Sequence, residues 1–316
     1  MGKDVLYIVV PCYNEQDMLP TTTARLVKLL QQLEEAQLSS SDSRIVYVND
    51  GSTDDTWNII EQHSQQHPQV CGVKLAGNVG HQNALMAGLE TVCDKADIII
   101  TIDADLQDDI NVISEMIEKY HHGYDIVYGV RRERKTDTWF KRNSALTFYK
   151  LMQRLGVKSV YNHADFRLMS RRAVSQLLQY HERNLFLRGI VPLVGYRSEK
   201  VYYDRSERTA GESKYPLSKM MSFAIDGITS FSIKPVRMVL TLGIAFTLIA
   251  LIMLIYVLVA YFSGRAVSGW ASLILSLWFI GGCVLIGLGI VGEYIGKIYI
   301  EVKDRPRYNI EQKILQ

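Results

Sequence analysis

The sequence predicts an α/β protein: a Rossmann-like, mainly parallel sheet in a cytosolic domain, followed by an interfacial amphipathic helix and two transmembrane helices. Three observations predict it. Apolar, β-branched runs alternate with amphipathic stretches along the first two thirds of the chain. Clusters rich in Asp, Asn and Gly follow three of those runs. Near residue 235 the composition changes, and charged residues become scarce.

The candidate strands are VLYIVVP, RIVYVND, CGVKLA, DIIITIDAD and DIVYGV. Each is a short apolar run of the kind a strand buried on both faces requires. Between them lie TARLVKLLQQLEE and DTWNIIEQHSQQ, whose apolar residues recur at helical spacing. Strand alternating with helix argues for a parallel sheet covered on both sides. In such sheets ligands bind beyond the carboxyl ends of the strands. PCYNE, NDGSTDDT and DADLQDD all fall at such ends, so the three clusters are expected to converge on one site.

The segment DADLQDD sets four carboxylates and a glutamine in seven residues after an apolar strand. On an extended segment, carboxylates at i and i+2 point to one side, and without a cation they repel each other. Hard oxygen donors suit Mg2+ or Mn2+, and Mg2+ is commonly held by one or two carboxylates plus substrate phosphates. Asp105 and Gln107 are therefore expected to face a metal, with Asp103 supporting the metal or a nucleotide. Asp108 or Asp109 is expected to cap the helix that follows.

No charged residue lies between Arg237 and Arg265, nor between Arg265 and Glu293. Each gap exceeds the ~20 apolar residues that a helix needs to cross a bilayer core. Lys234 and Arg237 precede the first apolar segment, and Lys297, Lys303, Arg305 and Arg307 follow the second, against Arg265 alone in the connecting loop. This bias places both termini and the preceding domain in the cytoplasm, on the inner (cytoplasmic) membrane. The tract PLSKMMSFAIDGITSFSIKPV is amphipathic and is expected to lie in the interface.

Lys plus Arg total 35 and Asp plus Glu 33, so no basic field suggests a nucleic-acid partner. Cys12, Cys71, Cys93 and Cys283 are widely spaced and form no CxxC pair, which fits a reduced compartment and argues against a cysteine-based zinc or redox motif. The N-terminus runs into a candidate strand, and no secretory signal is expected.

PCYNE, VNDGSTDDT, NVGHQNAL and DADLQDD together resemble family 2 glycosyltransferases with the GT-A fold. HADFRLMSR, RTAGESKYP and the two apolar segments narrow the resemblance to polyisoprenyl-phosphate glycosyltransferases, which include bacterial bactoprenol glucosyltransferases and, more distantly, dolichol-phosphate mannose synthases. The domain reading is then 1–214 for a GT-A catalytic domain, 215–235 for the interfacial segment, 236–292 for the transmembrane hairpin and 293–316 for a cytoplasmic tail.

The resemblance implies roles residue by residue. Pro11, Tyr13 and Glu15 match a nucleotide-binding loop, and Asp50 a contact to uracil or ribose. Pro11, Asn14 and Asp50 to Ser52 also suit ordinary strand-end turns. Asn78, Gly80 and His81 open a helix whose N–H groups would face the donor, or form only its cap. Asp165 matches the catalytic carboxylate, removing a remaining proton from the acceptor or orienting its oxygen; it could also pair with Arg167 on a loop. Arg131, Arg142, Arg167, Arg205, Arg208, Ser213 and Lys214 are candidates for phosphate and acceptor. The implied reaction is inverting transfer of one sugar from a UDP-sugar to undecaprenyl (polyisoprenyl) phosphate. Glucose is favoured over GlcNAc and galactose, and the product would serve cell-envelope glycan modification. The resemblance implies an enzyme that works at the lipid bilayer as a homo-oligomer, a tetramer being one form; Gly281, Gly282, Gly287, Gly289 and Gly292 permit close helix packing, either between copies or within one chain. A processive polysaccharide synthase and a non-catalytic membrane scaffold are the rival readings.

Overall fold

The computed structural model describes residues 4–132, 163–183, 185–204, 234–263 and 269–315. These fall into two compact units. One holds the described residues up to Asp204 together with those from Arg305 onward, and the other holds the long C-terminal helices.

The first unit is built on one eight-stranded sheet: β1 (Leu6–Cys12), β2 (Arg44–Asn49), β3 (Val70–Leu75), β4 (Ile98–Thr101), β5 (Ile126–Arg131), β6 (His163–Ser170), β7 (Ser198–Tyr203) and β8 (Ile310–Ile314), in the order β7-β5-β6-β4-β1-β2-β3-β8. All five predicted strands are present, and a GT-A-like, mainly parallel α/β sheet fits. The pairs β1–β2, β1–β4, β2–β3 and β5–β7 are parallel; β4–β6, β5–β6 and β3–β8 are antiparallel. β1 is buried along its whole length, as a central strand covered on both faces must be. Helix α1 (Leu19–Glu35) carries Pro20 in its first turn and buries Leu19, Leu26, Leu30 and Leu33 on one stripe. The other helices of this unit are α2 (Thr56–Gln66), α3 (His81–Val92), α4 (Ile113–His121), α5 (Arg171–Leu178) and α6 (Leu187–Ile190).

Three strands escaped the sequence reading. β6 carries Asp165 and Arg167 among its apolar residues and reads as a polar loop. β7 alternates buried and exposed positions at the sheet edge. β8 lies in the segment expected to be a tail, where it pairs antiparallel with β3 and covers that edge. Lys74 Nζ meets Glu311 Oε1 at 3.0 Å, Tyr308 donates to Glu90, and Arg307 donates to the Tyr180 carbonyl.

The second unit contains α7 (Lys234–Phe262) and α8 (Trp270–Val302), of 29 and 33 residues. α8 therefore runs past the boundary expected at residue 292. Among the described residues one stretch, the 24 residues Phe279–Val302, is long and apolar enough to cross a membrane, and Val236–Phe246 is a shorter apolar helical stretch. The expectation of two spans is thus met by one helix on length and composition. The rings of Phe246 and Phe279 pack edge to face, 5.8 Å between centroids. Gly287 meets α7, where an added Cβ would come within 3.1 Å of Val239, whereas Gly281, Gly282, Gly289 and Gly292 have nothing within 4 Å. Most of the predicted interfacial segment lies outside the described residues.

Candidate active site

Because β1, β2 and β4 are mutually parallel, their carboxyl ends open on one side of the sheet. β6 runs the other way, so its first residues arrive there. The register Thr101↔Arg167 carries Asp165 just beyond the last residue of β4. Thr101 Oγ1 donates to the Asp165 carbonyl at 2.5 Å and fixes the crossing. Asp165 is therefore a strand residue, and the topology accounts for its meeting the strand-end clusters.

PCYNE and NDGSTDDT are laced together. Asn14, in the left-handed region at φ 54°, donates its backbone N–H to Ser52 Oγ at 3.0 Å, and its side-chain oxygen accepts from Thr53 N–H at 2.9 Å. Glu15 N–H donates to Thr56 Oγ1 at 2.9 Å. Pro11 lies within β1 and is buried, while Tyr13 stands half exposed above the loop. Asp50 is 2 % exposed, and its two oxygens accept from Val79 N–H at 2.8 Å and Gly80 N–H at 3.0 Å. Burial pushes its carboxyl up from the ordinary value, while the two N–H bonds and His81 pull it back. Asn78 Nδ2 donates to the Asp50 carbonyl at 3.2 Å. Gly51 must be glycine: its φ is +62°, and a Cβ would lie 2.5 Å from the backbone of Gly77 and Asn78. Asp50, Asn78 and Gly80 thus form one knot that sets the start of α3. The structure gives Asp50 a positioning role beside the expected contact to uracil or ribose.

The acidic segment is a turn rather than the expected extended strand. β4 ends at Thr101, Leu106 adopts φ 43°, and Leu106 N–H donates to the Asp103 carbonyl at 3.3 Å. Asp109 caps the following 3-10 turn, accepting from Asn111 N–H at 3.0 Å. Asp108 is buried and accepts from Tyr203 OH at 2.6 Å and Arg131 Nε at 3.0 Å. Arg131, the expected phosphate ligand, thus pairs with a buried carboxylate and keeps part of its side chain exposed. Asp105 Oδ1 accepts Gln107 N–H at 3.3 Å, and Gln107 is buried.

Asp103 keeps 38 % of its side chain open to the cleft, yet the surrounding protein excludes enough water to dominate its titration. Burial pushes its carboxyl up to about 6; Asp165, Asp108 and Asp105 add to the rise, and His81 opposes it. Among the described residues no three His, Cys, Asp or Glu side chains are grouped to hold a metal ion. The raised Asp103 with Asp105 beside it nonetheless fits a hard divalent cation completed by substrate oxygens, since ionising both carboxylates there calls for a counter-charge.

Asp165 is the hub of the site. Oδ1 accepts from Arg167 Nη2 at 2.6 Å, and Arg188 donates from Nη2 to Oδ2 at 3.1 Å and from Nε to Oδ1 at 3.4 Å. Burial would raise its pKa, but Arg188, then Arg167 and His81, more than reverse this and hold the carboxyl well below the usual range. His81 Nε2 stands 3.6 Å from Asp103 Oδ1 and 3.8 Å from Asp165 Oδ2, near enough to share charge with either but too far for a hydrogen bond.

Arg188 was missed by the sequence reading, although a lone cation in the apolar run LFLRGIV signalled it. Gln82 was missed too; its Oε1 accepts Leu187 N–H at 2.7 Å and ties α6 to the first turn of α3. Arg142, Arg205, Arg208, Ser213 and Lys214 lie outside the described residues. A cavity lined by Asp97, Tyr120, Asp125, Arg171 and Arg172 lies at the opposite end of β4 and β6, where Arg172 pairs with Asp125 and Arg171 with Asp97.

Residues 7–178 match the family model for glycosyl transferase family 2. The chain is 53% identical over 310 residues to the uncharacterised glycosyltransferase YkoT of Bacillus subtilis, covering 98% of this chain and 92% of the relative. It is 40% identical over 307 residues to a prophage bactoprenol glucosyl transferase homolog of Escherichia coli (96% and 98%). It is 41% identical over 310 residues to an SfII prophage-derived bactoprenol glucosyl transferase of Shigella flexneri (96% and 97%).

Proposed function

The chain belongs to glycosyl transferase family 2, and from that premise we propose that it transfers one sugar from a UDP-sugar to undecaprenyl (polyisoprenyl) phosphate at the cytoplasmic face of a membrane. Glucose is the first choice of sugar, with GlcNAc and galactose behind it. The observation that carries the reading is the meeting, beside His81, of an acidic pair and an arginine-bound carboxylate at the carboxyl end of the sheet. The first suits a cation with a nucleoside diphosphate, and the second suits an anionic acceptor. Kinship over nearly the whole chain with proteins named bactoprenol glucosyl transferases supports the acceptor.

The reaction is a direct displacement. An oxygen of the acceptor phosphate forms the new bond to the anomeric carbon, the bond to UDP breaks, and the configuration inverts. A divalent cation, Mg2+ or Mn2+, held by Asp103 and Asp105 would neutralise the departing diphosphate. Tyr13 and Glu15 line the nucleotide end, on the loop that Asn14 and Thr56 hold. Asp165 orients rather than deprotonates: a carboxylate held that far below the usual range is a weak base, and the acceptor is already anionic.

We infer two membrane crossings, and the order of the elements supports them. β8 comes after α8 in the chain, yet belongs to the same unit as β1 to β7. That order favours an even number of crossings, with α7 as the partner to α8. Lys and Arg on the outer flanks of the pair support a cytoplasmic sheet domain.

The test is to incubate the full chain in membranes with undecaprenyl phosphate, Mg2+ or Mn2+ and a panel of labelled UDP-sugars, then identify the glycolipid. A single lipid-linked monosaccharide is expected. A growing polymer, or no transfer from any donor, would overturn the reading.

A further inference from the structure

The candidate acceptor ligand Arg167 is 1 % exposed. No acceptor headgroup can reach it, and its Nη2 is bonded to Asp165 at 2.6 Å. Arg188, on the same carboxylate, keeps 41 % of its side chain exposed. We propose that Arg188 seats the phosphate of the lipid acceptor, and that Asp165 and Gln82 are positioning residues that aim it. This inference rests on the polyprenyl-phosphate reading above.

The division of labour follows from burial and charge. Arg167 already neutralises Asp165 from inside the sheet. Adding the second guanidinium of Arg188 sets two like charges around one carboxylate. Burial lowers the pKa of Arg167, Asp165 raises it, and the nearby charge of Arg188 lowers it again. A guanidinium fork suits the oxygens of a phosphate.

Position agrees with charge. The departing diphosphate belongs with Asp103 and Asp105, where a cation would sit. In a displacement with inversion the nucleophile approaches the anomeric carbon from the side opposite the leaving group. Asp103 and Asp165 both come within 4 Å of His81 Nε2, so the acceptor seat proposed here adjoins the cation seat, and Arg188 is the half-exposed cation bonded to Asp165. Two anchors hold the Arg188 guanidinium in place. Asp165 grips it through Nε and Nη2, and the amide of Gln82 accepts the N–H of the neighbouring Leu187 at 2.7 Å. Gln82 directly follows His81, so the first turn of α3 places both halves of the site.

The experiment compares Arg188→Gln, Arg188→Lys and Gln82→Ala with the parent, all as full chains in membranes. KM for undecaprenyl phosphate, UDP binding by calorimetry and thermal melting are measured for each. Binding of farnesyl phosphate in the presence of UDP gives a readout independent of turnover. Arg188→Gln should raise the acceptor KM and weaken farnesyl phosphate about 10- to 100-fold, the loss of a charge-assisted hydrogen bond. UDP affinity should stay near the parent, and melting should fall less than in Asp165→Asn, because Arg167 still pairs with the carboxylate. Arg188→Lys should fall between, since it keeps the charge without the fork, and Gln82→Ala should shift acceptor KM the same way by a smaller factor. An unchanged acceptor KM, or UDP affinity and melting falling in parallel with it, would overturn the assignment. A parent protein that makes no glycolipid would instead defeat the polyprenyl-phosphate reading before any variant is compared.

Discussion

Nη2 of Arg167 lies 2.6 Å from Oδ1 of Asp165, two residues away on the same strand and on the same face of the sheet. The pair turns a residue expected to be a proton acceptor into half of an ion pair. Asp165→Asn leaves two guanidiniums around a neutral amide. Removing one partner of a buried pair costs about 3–5 kcal/mol, so the variant should melt markedly lower, bind UDP and cation nearly as the parent does, and transfer sugar poorly. Its residual rate should not rise at alkaline pH. The depressed pKa gives stability that is present above the unfolded value and lost only as acid approaches the folded one, so Asp165 should add no titration near neutrality. A variant with parental melting whose rate recovers with rising pH would restore Asp165 as a base.

Asp103 gives the opposite sign. Its folded pKa, about 6, lies above the ordinary 3.8, so its contribution to stability is present below 3.8 and lost as pH rises through about 6. Without added cation, melting temperature should fall across that window. Mn2+ or Mg2+ should flatten the fall by favouring the ionised form, and Asp103→Asn should abolish it. Asp105→Ala should keep the fold and lose transfer at ordinary metal concentrations. Parental turnover in that variant would remove Asp105 from the cation site.

Arg131 is predicted to be structural. Arg131→Ala strands Asp108, which is buried and left with Tyr203. The cost should be about 3–5 kcal/mol, read by denaturation. KM for the acceptor in the protein that remains folded should be unchanged. A raised acceptor KM at parental stability would return Arg131 to the phosphate ligands.

Topology can be checked with impermeant thiol reagents on intact cells. A cysteine introduced at 264–268 should be labelled from outside, and Asn309→Cys should not. Cys12, Cys71 and Cys93 are buried and should stay silent. The reverse pattern would place the sheet domain outside the cytoplasm.

Much of the site was legible because strand-end chemistry is local. DADLQDD, NDGSTDDT and PCYNE each announce a polar turn after an apolar run, and a parallel sheet gathers them without further information. What was not legible depends on long-range pairing. Asp165 reaches the site because β6 is antiparallel to β4, and a strand holding a buried Asp and Arg does not read as apolar. Arg131 and Arg167 both come near the strand-end clusters, but each pairs with a carboxylate, Asp108 or Asp165, that the sequence does not announce, and Arg167 is buried. Nothing in a sequence separates such an arginine from one that faces a ligand; Arg188 did carry a local signal, a lone cation in LFLRGIV, but no strand-end cluster beside it to point to the site. β8 was missed because IEQKI has little apolar character, as suits a strand that closes an exposed edge.

That closing strand has a consequence for biosynthesis. β3 is made early, but its antiparallel neighbour is translated only after α7 and α8. Until then the β3 edge presents unpaired N–H and C=O groups, which other chains can pair with. The contact from Gly72 to Ile314 spans most of the polypeptide, a separation that slows closure. The final sheet bond therefore forms only after both long apolar helices have been synthesised, so the sheet unit completes its edge with a strand delivered from beyond them.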